Sequence, residues 1–185
     1  MKLIINTSTL SGTGVVQVAI SFINECKKND ENEYHVFLSK RVSEFLNTND
    51  FPDNFYFYKF ENHPLYGIKG LKVRKKLRRL DDLIKADCIF PVFGPACWTP
   101  KTKHITGFAN SYYVYPESPF FDIIPPFNKI HIKTLKIAHR YFLKRNGQFF
   151  ICETEDMSNR LSNFLSIPKS NVFTVNNTYS HYFET

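Results

Sequence analysis

The sequence predicts an α/β protein, a parallel sheet of about six to seven strands with helices on both faces. Three observations predict it. Short runs rich in Val, Ile, Phe and Tyr alternate along the chain with segments whose apolar residues recur at helical spacing. The runs are apolar nearly throughout, as strands buried on two faces are. The first run ends in a glycine-bearing loop that leads directly into a helical pattern.

Each element follows from its own residues. "KLII" (2–5) is a short buried strand. Val15, Val18, Ala19, Phe22, Ile23 and Cys26 recur at helical spacing and predict a helix over 15–28. "YHVFL" (34–38) is a strand and "VSEFLN" (42–47) a short helix. "FYFYKF" (55–60) alternates and is aromatic, which suits a strand. Residues 70–86 form a basic helix. "CIFPVF" (88–93) and "HITGF" (104–108) are buried strands, and a loop rich in Pro and aromatics covers 109–127. "NKIHIKTLKIAHRYFLKR" (128–145) is a long helix, "QFFIC" (148–152) a strand, "TEDMSNRLSNFL" (154–165) a helix and "NVFTV" (171–175) the last strand.

Composition bounds the class. A chain of 185 residues, 43% of them hydrophobic, can bury one core of ordinary size. With 19 Phe and 10 Tyr, some rings must lie near the surface or line a cleft. No apolar run approaches the length of a membrane span. "MKLIINTSTL" has neither a hydrophobic core region nor a small-residue cleavage site, so no signal peptide is expected. Cys26, Cys88, Cys97 and Cys152 are widely spaced, which predicts reduced thiols in a cytoplasmic protein. The six His are scattered and no acidic pair has ligand spacing, so no metal is expected.

In parallel sheets, ligands bind at the carboxyl ends of strands. The loop "SGTG" lies at such an end. Two readings of Gly12, Thr13 and Gly14 stand side by side: a cradle of backbone amides for phosphate, or a plain turn between strand and helix. The loop has neither the GxGxxG spacing nor a Walker lysine.

Five segments in order, "SGTGVVQVAISFINE", "VFGPACWTPKTKHITGFAN", "YPESPFF", "ICETEDMSNRLSNFLSI" and "VFTVNNTYSHYF", together resemble the amino-terminal half of family-four glycosyltransferases, retaining enzymes of the GT-B fold. The resemblance covers nearly the whole chain. It implies a Rossmann-like, acceptor-side domain over 1–175 and the start of an interdomain hinge over 176–185, with Asn177 at the family's usual Asn and the donor-binding second domain absent. It implies that Gly12, Thr13 and Gly14 face the diphosphate of a nucleotide-sugar donor, and that "ETEDMSNRL", with Glu153 and Thr154, borders the cleft. The implied reaction moves a sugar, with retention, from the nucleotide-sugar to a glycan or lipid-linked acceptor in cell-surface polysaccharide synthesis, without metal or cofactor. Many members carry His–Asp or His–Glu after the fifth strand. Ala109 and Asn110 stand there in this chain, so no catalytic residue is carried over.

Two further segments suggest partners. Trp98, Tyr112, Tyr113, Tyr115, Phe120 and Phe121 sit among Pro and Gly; flat rings with polar edges suit sugar faces, although such rings also cap cores. Phe93, Gly94, Trp98, Asn110, Tyr112 and Tyr113 are therefore expected around the acceptor. "KGLKVRKKLRR" (69–79) holds seven Lys or Arg in eleven residues. A solvated face, an anionic membrane surface and nucleic acid all fit a net charge of +7. The resemblance favours the inner membrane surface, met by Lys72, Lys75, Lys76 and Arg79. No RNA- or DNA-binding signature is present, so nucleic acid is not expected. The alternative class is a free-standing nucleotide- or nucleic-acid-binding module without catalysis.

Overall fold

The first strand of the chain lies in the interior of the sheet. In the computed structural model, which describes residues 1–176, β1 (Lys2–Asn6) pairs on one edge with β2 (Glu33–Ser39) and on the other with β4 (Cys88–Pro91). With β3 (Phe55–Phe60), β5 (Lys103–Gly107), β6 (Phe149–Cys152) and β7 (Val172–Thr174) the order is β3-β2-β1-β4-β5-β6-β7. Every neighbouring pair is parallel. All seven expected strands form.

Right-handed crossovers decide the layers. The chain moves outward from β1 to β3 through α1 (Thr13–Glu25) and α2 (Lys40–Phe45), which cover one face. There Ile5, Val36 and Leu38 pack with Val16, Ala19, Ile23 and Val42. It then moves the other way through α3 (Gly67–Ile84), α5 (Pro126–Asn146) and α6 (Glu155–Leu165), with a single turn, α4 (Phe120–Ile123), before α5. These helices take the opposite face. Ile4, Phe37 and Ile89 meet Val73 and Leu77, while Phe150 and Val172 meet Leu143 and Leu161. The strand register puts Ile105, Phe149, Ile151 and Phe173 on the α1 side of β5, β6 and β7. No helix of the described residues follows a crossover to that side, and these four side chains stay half-buried or exposed.

Element boundaries shift for local reasons. The helix expected over 15–28 ends at Glu25 and tightens into a 3₁₀ turn, Cys26–Lys28. The basic helix starts at Gly67, earlier than expected. Pro126 opens α5 at a position where its missing N–H costs nothing. The segment expected as a loop over 109–127 holds the 3₁₀ turn Ser111–Tyr113 and α4. Residues 177–185, and with them Asn177 and most of the expected hinge, lie outside the described residues. No described helix is long and apolar enough to cross a membrane.

The tightest approach of backbone to a glycine is at Gly107. A Cβ at Gly107, on β5, would lie 1.8 Å from the Val92 carbonyl oxygen, which belongs to the chain leaving β4. Backbone cannot yield as a flexible side chain would. Gly107→Ala is expected to cost at least about 1–3 kcal/mol, the range of core overpacking. Urea unfolding measures it, and an unchanged midpoint would contradict the packing described.

Candidate functional site

The chain reverses its direction across the sheet between β1 and β4. Such a reversal opens a crevice at the carboxyl ends. The loop after β1 is held from several sides. The Thr7 amide and hydroxyl both donate to the Phe37 carbonyl, at 2.8 and 2.7 Å. The Ser39 hydroxyl donates to the Leu10 carbonyl at 2.6 Å. The Thr9 hydroxyl donates to the Phe93 carbonyl at 3.2 Å, tying the loop to the segment after β4. Gly94, with φ +81°, donates its amide to the Gly107 carbonyl. Phe93 and Gly94 therefore lie directly against the first loop.

That loop ends in the start of α1. Gly12 is its N-cap, in extended conformation, and provides no side-chain cap. The first turn has no acidic residue. The leading amides thus lack a protein partner of the usual kind, at the positive end of the helix. Neither glycine is demanded by the backbone: both have ordinary negative φ values. A Cβ at Gly14 would meet nothing within 4 Å, and one at Gly12 only Val15 Cγ2 at 3.6 Å. At the end of β1 two buried groups are also unpartnered among the described residues, the Ser8 hydroxyl and the Asn6 side-chain amide nitrogen. Ser8 is 1% exposed. Asn6 Oδ1 accepts from the Ser8 amide at 3.1 Å, which fixes its amide orientation. Unused donors beneath an uncapped helix start suit an anion.

Beside this loop lies an open cleft of about 290 Å³, lined by Ser8, Ser11, Lys40, Arg41, Asn62 and His63 among others. His63 Nε2 donates to the Thr9 carbonyl at 3.1 Å, and its Nδ1 accepts from the Leu65 amide. Those roles describe a neutral ring, and burial lowers its pKa in the same sense, against the pull of the Thr9 bond. Arg41 pairs with Glu44 at 3.0 Å. Lys40 makes no ion pair among the described residues. Asn6, Ser8, Lys40, Arg41, Asn62 and His63 were not singled out from the sequence. They come from the ends of three strands that only the sheet order brings together.

The expected acceptor rings divide. Trp98 is corrected: it is 5% exposed and packs beneath α3 with Phe37, Val73 and Leu77. Its indole N–H donates to Asp81 Oδ2 at 2.9 Å, so the polar edge is satisfied inside the protein. Tyr113 is corrected too. Its ring is buried between α5 and α6, and its hydroxyl lies 3.2 Å from His139 Nδ1. Burial pushes its pKa up to about 12. Tyr112 stays exposed, stacked on Phe120 with ring centres 4.2 Å apart. Asn110 is half-buried, and its carbonyl accepts from the Tyr113 amide. The segment beyond is pinned by Arg160, which pairs with Glu117 at 2.6 Å and Asp156 at 2.9 Å and covers the Tyr115 ring. Thr154 caps α6 by accepting from the Met157 amide, and Glu153 sits half-buried before it. Lys72, Lys75, Lys76 and Arg79 are all exposed on α3, and the Lys76 ammonium reaches over the Phe60 ring.

No protein-family model and no curated protein matches the sequence. Solved structures do match. The described fold is similar to a glycosyltransferase from Rickettsia africae ESF-5, at a TM-score of 0.55 and 13% identity, covering 95% of this chain and 42% of that one. It is also similar to a UDP-GlcNAc 2-epimerase from Neisseria meningitidis bound to UDP-GlcNAc, at 0.53 and 18%, covering 96% and 46%. What is shared is the fold. The chain spans less than half the length of either structure.

The corrected Tyr113 generates a prediction. Burial, with the nearby His63, lowers the His139 pKa from 6.5 to about 4. The unfolded chain then binds more protons below about pH 6.5, so stability falls as pH drops from there towards about 4. His35 and His63 are shifted the same way, mainly by burial. His139→Gln is therefore expected to flatten, without abolishing, the loss of urea stability between about pH 7.5 and about pH 5. An unchanged slope would show that His139 titrates alike folded and unfolded.

Proposed function

We propose that this chain is the acceptor-side domain of a retaining glycosyltransferase acting on a nucleotide-sugar donor and a glycan or lipid-linked acceptor. The observation that carries the reading is the uncapped start of α1 at the sheet's reversal point, built from two glycines that the fold itself does not require. The two structural likenesses support it, since one is to a glycosyltransferase and the other to an epimerase bound to a nucleotide-sugar.

In this reading the amides of Gly12, Thr13 and Gly14 receive the donor diphosphate. The Ser8 hydroxyl and the Asn6 amide add donors from below. As the bond from the anomeric carbon to the diphosphate breaks, negative charge grows on the leaving oxygen. Fixed dipoles aimed at that charge stabilise it without reorganising. Lys40 lines the neighbouring cleft and adds a mobile cation. No metal is invoked. The cleft of Ser11, Asn62 and His63 takes the acceptor, whose hydroxyls match its mixture of donors and acceptors. The polysaccharide role and the retaining outcome rest on the family resemblance, and the cytoplasmic setting on the widely spaced cysteines.

Transfer needs donor and acceptor aligned across two domains, a positioning effect worth on the order of 7–11 kcal/mol in well-oriented systems. The 185-residue chain alone is therefore expected to bind a nucleotide-sugar weakly and to transfer nothing. The test is an NMR titration with UDP-GlcNAc. Amide signals from Ser11 to Val15 should move in the natural chain. Gly14→Val should weaken this response about tenfold or more, because its branched side chain occupies the approach path, while the melting temperature holds. A titration that leaves those amides unmoved, or that Gly14→Val does not alter, would overturn the reading.

A further inference from the structure

α5 carries two apolar stripes, and only one faces the core. Ile132, Leu135 and Leu143 pack on the sheet side, with His139 bonded to Tyr113. On the opposite side Phe127, Ile130, Ile137 and Tyr141 recur at three- and four-residue steps and are 78%, 63%, 71% and 55% exposed. Thr134 completes the row. Its hydroxyl is turned back onto the Ile130 carbonyl at 3.0 Å, which leaves its methyl as the outward group. The stripe runs the length of a 21-residue helix, roughly 31 Å at 1.5 Å per residue. It is a convex ridge with no groove.

The helix itself carries charges of one sign. From Ile123 to Cys152 the chain has no Asp or Glu, while α5 alone holds six Lys or Arg. Two of these are engaged with α6: the Arg140 guanidinium donates to the Phe164 carbonyl and the Lys136 ammonium lies over the Phe164 ring. Arg145 donates to the Tyr141 hydroxyl. Lys129, Lys133 and Lys144 flank the ridge without an ion pair among the described residues. α3 continues the surface. It lies alongside, with the Arg74 guanidinium over the Phe142 ring, and presents exposed Ile68 and Leu71 beside Lys72 and Lys75.

We propose that α5 lies flat on an anionic bilayer, its outward apolar ridge at the acyl boundary and its lysines at the headgroups, with the basic face of α3 as a second contact. An outward apolar stripe bordered by cations, on a straight helix too polar to span, is the pattern of an interfacial helix. Charge complementarity selects the occupant: a helix whose charges are all cationic attracts a sheet of anionic headgroups. A deformable surface also suits a convex ridge, which a rigid partner would have to match with a groove. The inference rests on α3 and α5 alone and is independent of the reading of the crevice.

The experiment is sedimentation of the 185-residue chain with phosphatidylglycerol-rich vesicles and, separately, with pure phosphatidylcholine vesicles. Binding is expected only to the anionic vesicles. It should weaken about tenfold or more in Ile130→Asp/Ile137→Asp and in Lys129→Glu/Lys133→Glu/Lys144→Glu. It should also fade at about 1 M salt, where the Debye length is about 3 Å. All changed positions are at the surface, and circular dichroism should confirm an unchanged fold. Three results would overturn the proposal. The chain could fail to bind anionic vesicles at low salt. The aspartate pair could bind as well as the natural chain while Lys72→Glu/Lys75→Glu/Lys76→Glu/Arg79→Glu does not, which would give the contact to α3 alone. Or the chain could sediment as a dimer that ignores vesicles and that the aspartate pair dissociates, which would give the ridge to a second copy.

Discussion

The reversal of chain direction between β1 and β4 is the constraint on which the rest depends. Because β1 takes β2 on one edge and β4 on the other, the helices that follow are sent to opposite faces. The same reversal brings together the loops at the carboxyl ends of the two strands. Thr9 and Phe93 join them with one hydrogen bond, and Gly94 and Gly107 let the backbones close behind it. The crevice is thus a by-product of the sheet order, and the residues in it are those that chance to follow the inner strands.

Much of this architecture was legible in the sequence. All seven strands are short apolar runs, and the helices between them have plain spacing, so element type was decided locally. What local pattern cannot convey is which side of an element faces inward. The rings of Trp98 and Tyr113 sit among Pro and Gly and read as surface groups. They became core when α3 supplied Asp81 for one and α5 supplied His139 for the other. The same gap hides the outer ridge of α5, whose two apolar stripes look equally like core in the sequence. It also hides the Ser8 hydroxyl and the Asn6 side-chain nitrogen, whose significance is that no group among the described residues bonds them, a property no pattern of letters carries.

The two faces of the sheet are unequal. The α3, α5 and α6 side is covered across its width, and several of its polar groups are matched in pairs: Asp81 with Trp98, Thr99 with Asn146, Tyr113 with His139. Such pairs fix the register of helix on sheet, because each group left alone in the interior would cost about 1–3 kcal/mol. The α1 side is closed over β1 to β3, and no described helix covers it over β5 to β7, where the Phe149 and Phe173 rings lie tilted at 48° with centres 6.0 Å apart. Packing is therefore most specific where the cation-rich helices lie, and those helices are held in place firmly enough to present a surface.

The central position of β1 also bears on how the protein is made. β1 is made before either of the strands that flank it. β2 emerges soon after and satisfies one edge, but the other edge waits for Cys88–Pro91. At 5–20 residues per second the interval between the end of β2 and the end of β4 is roughly 3–10 s. For that time a bare, apolar strand edge is exposed on the nascent chain, with only α1 and α2 to shield one of its faces. The chain is thus most open to mispairing before β4 emerges, and the segment from β1 to β3 is where a holding chaperone has most to do.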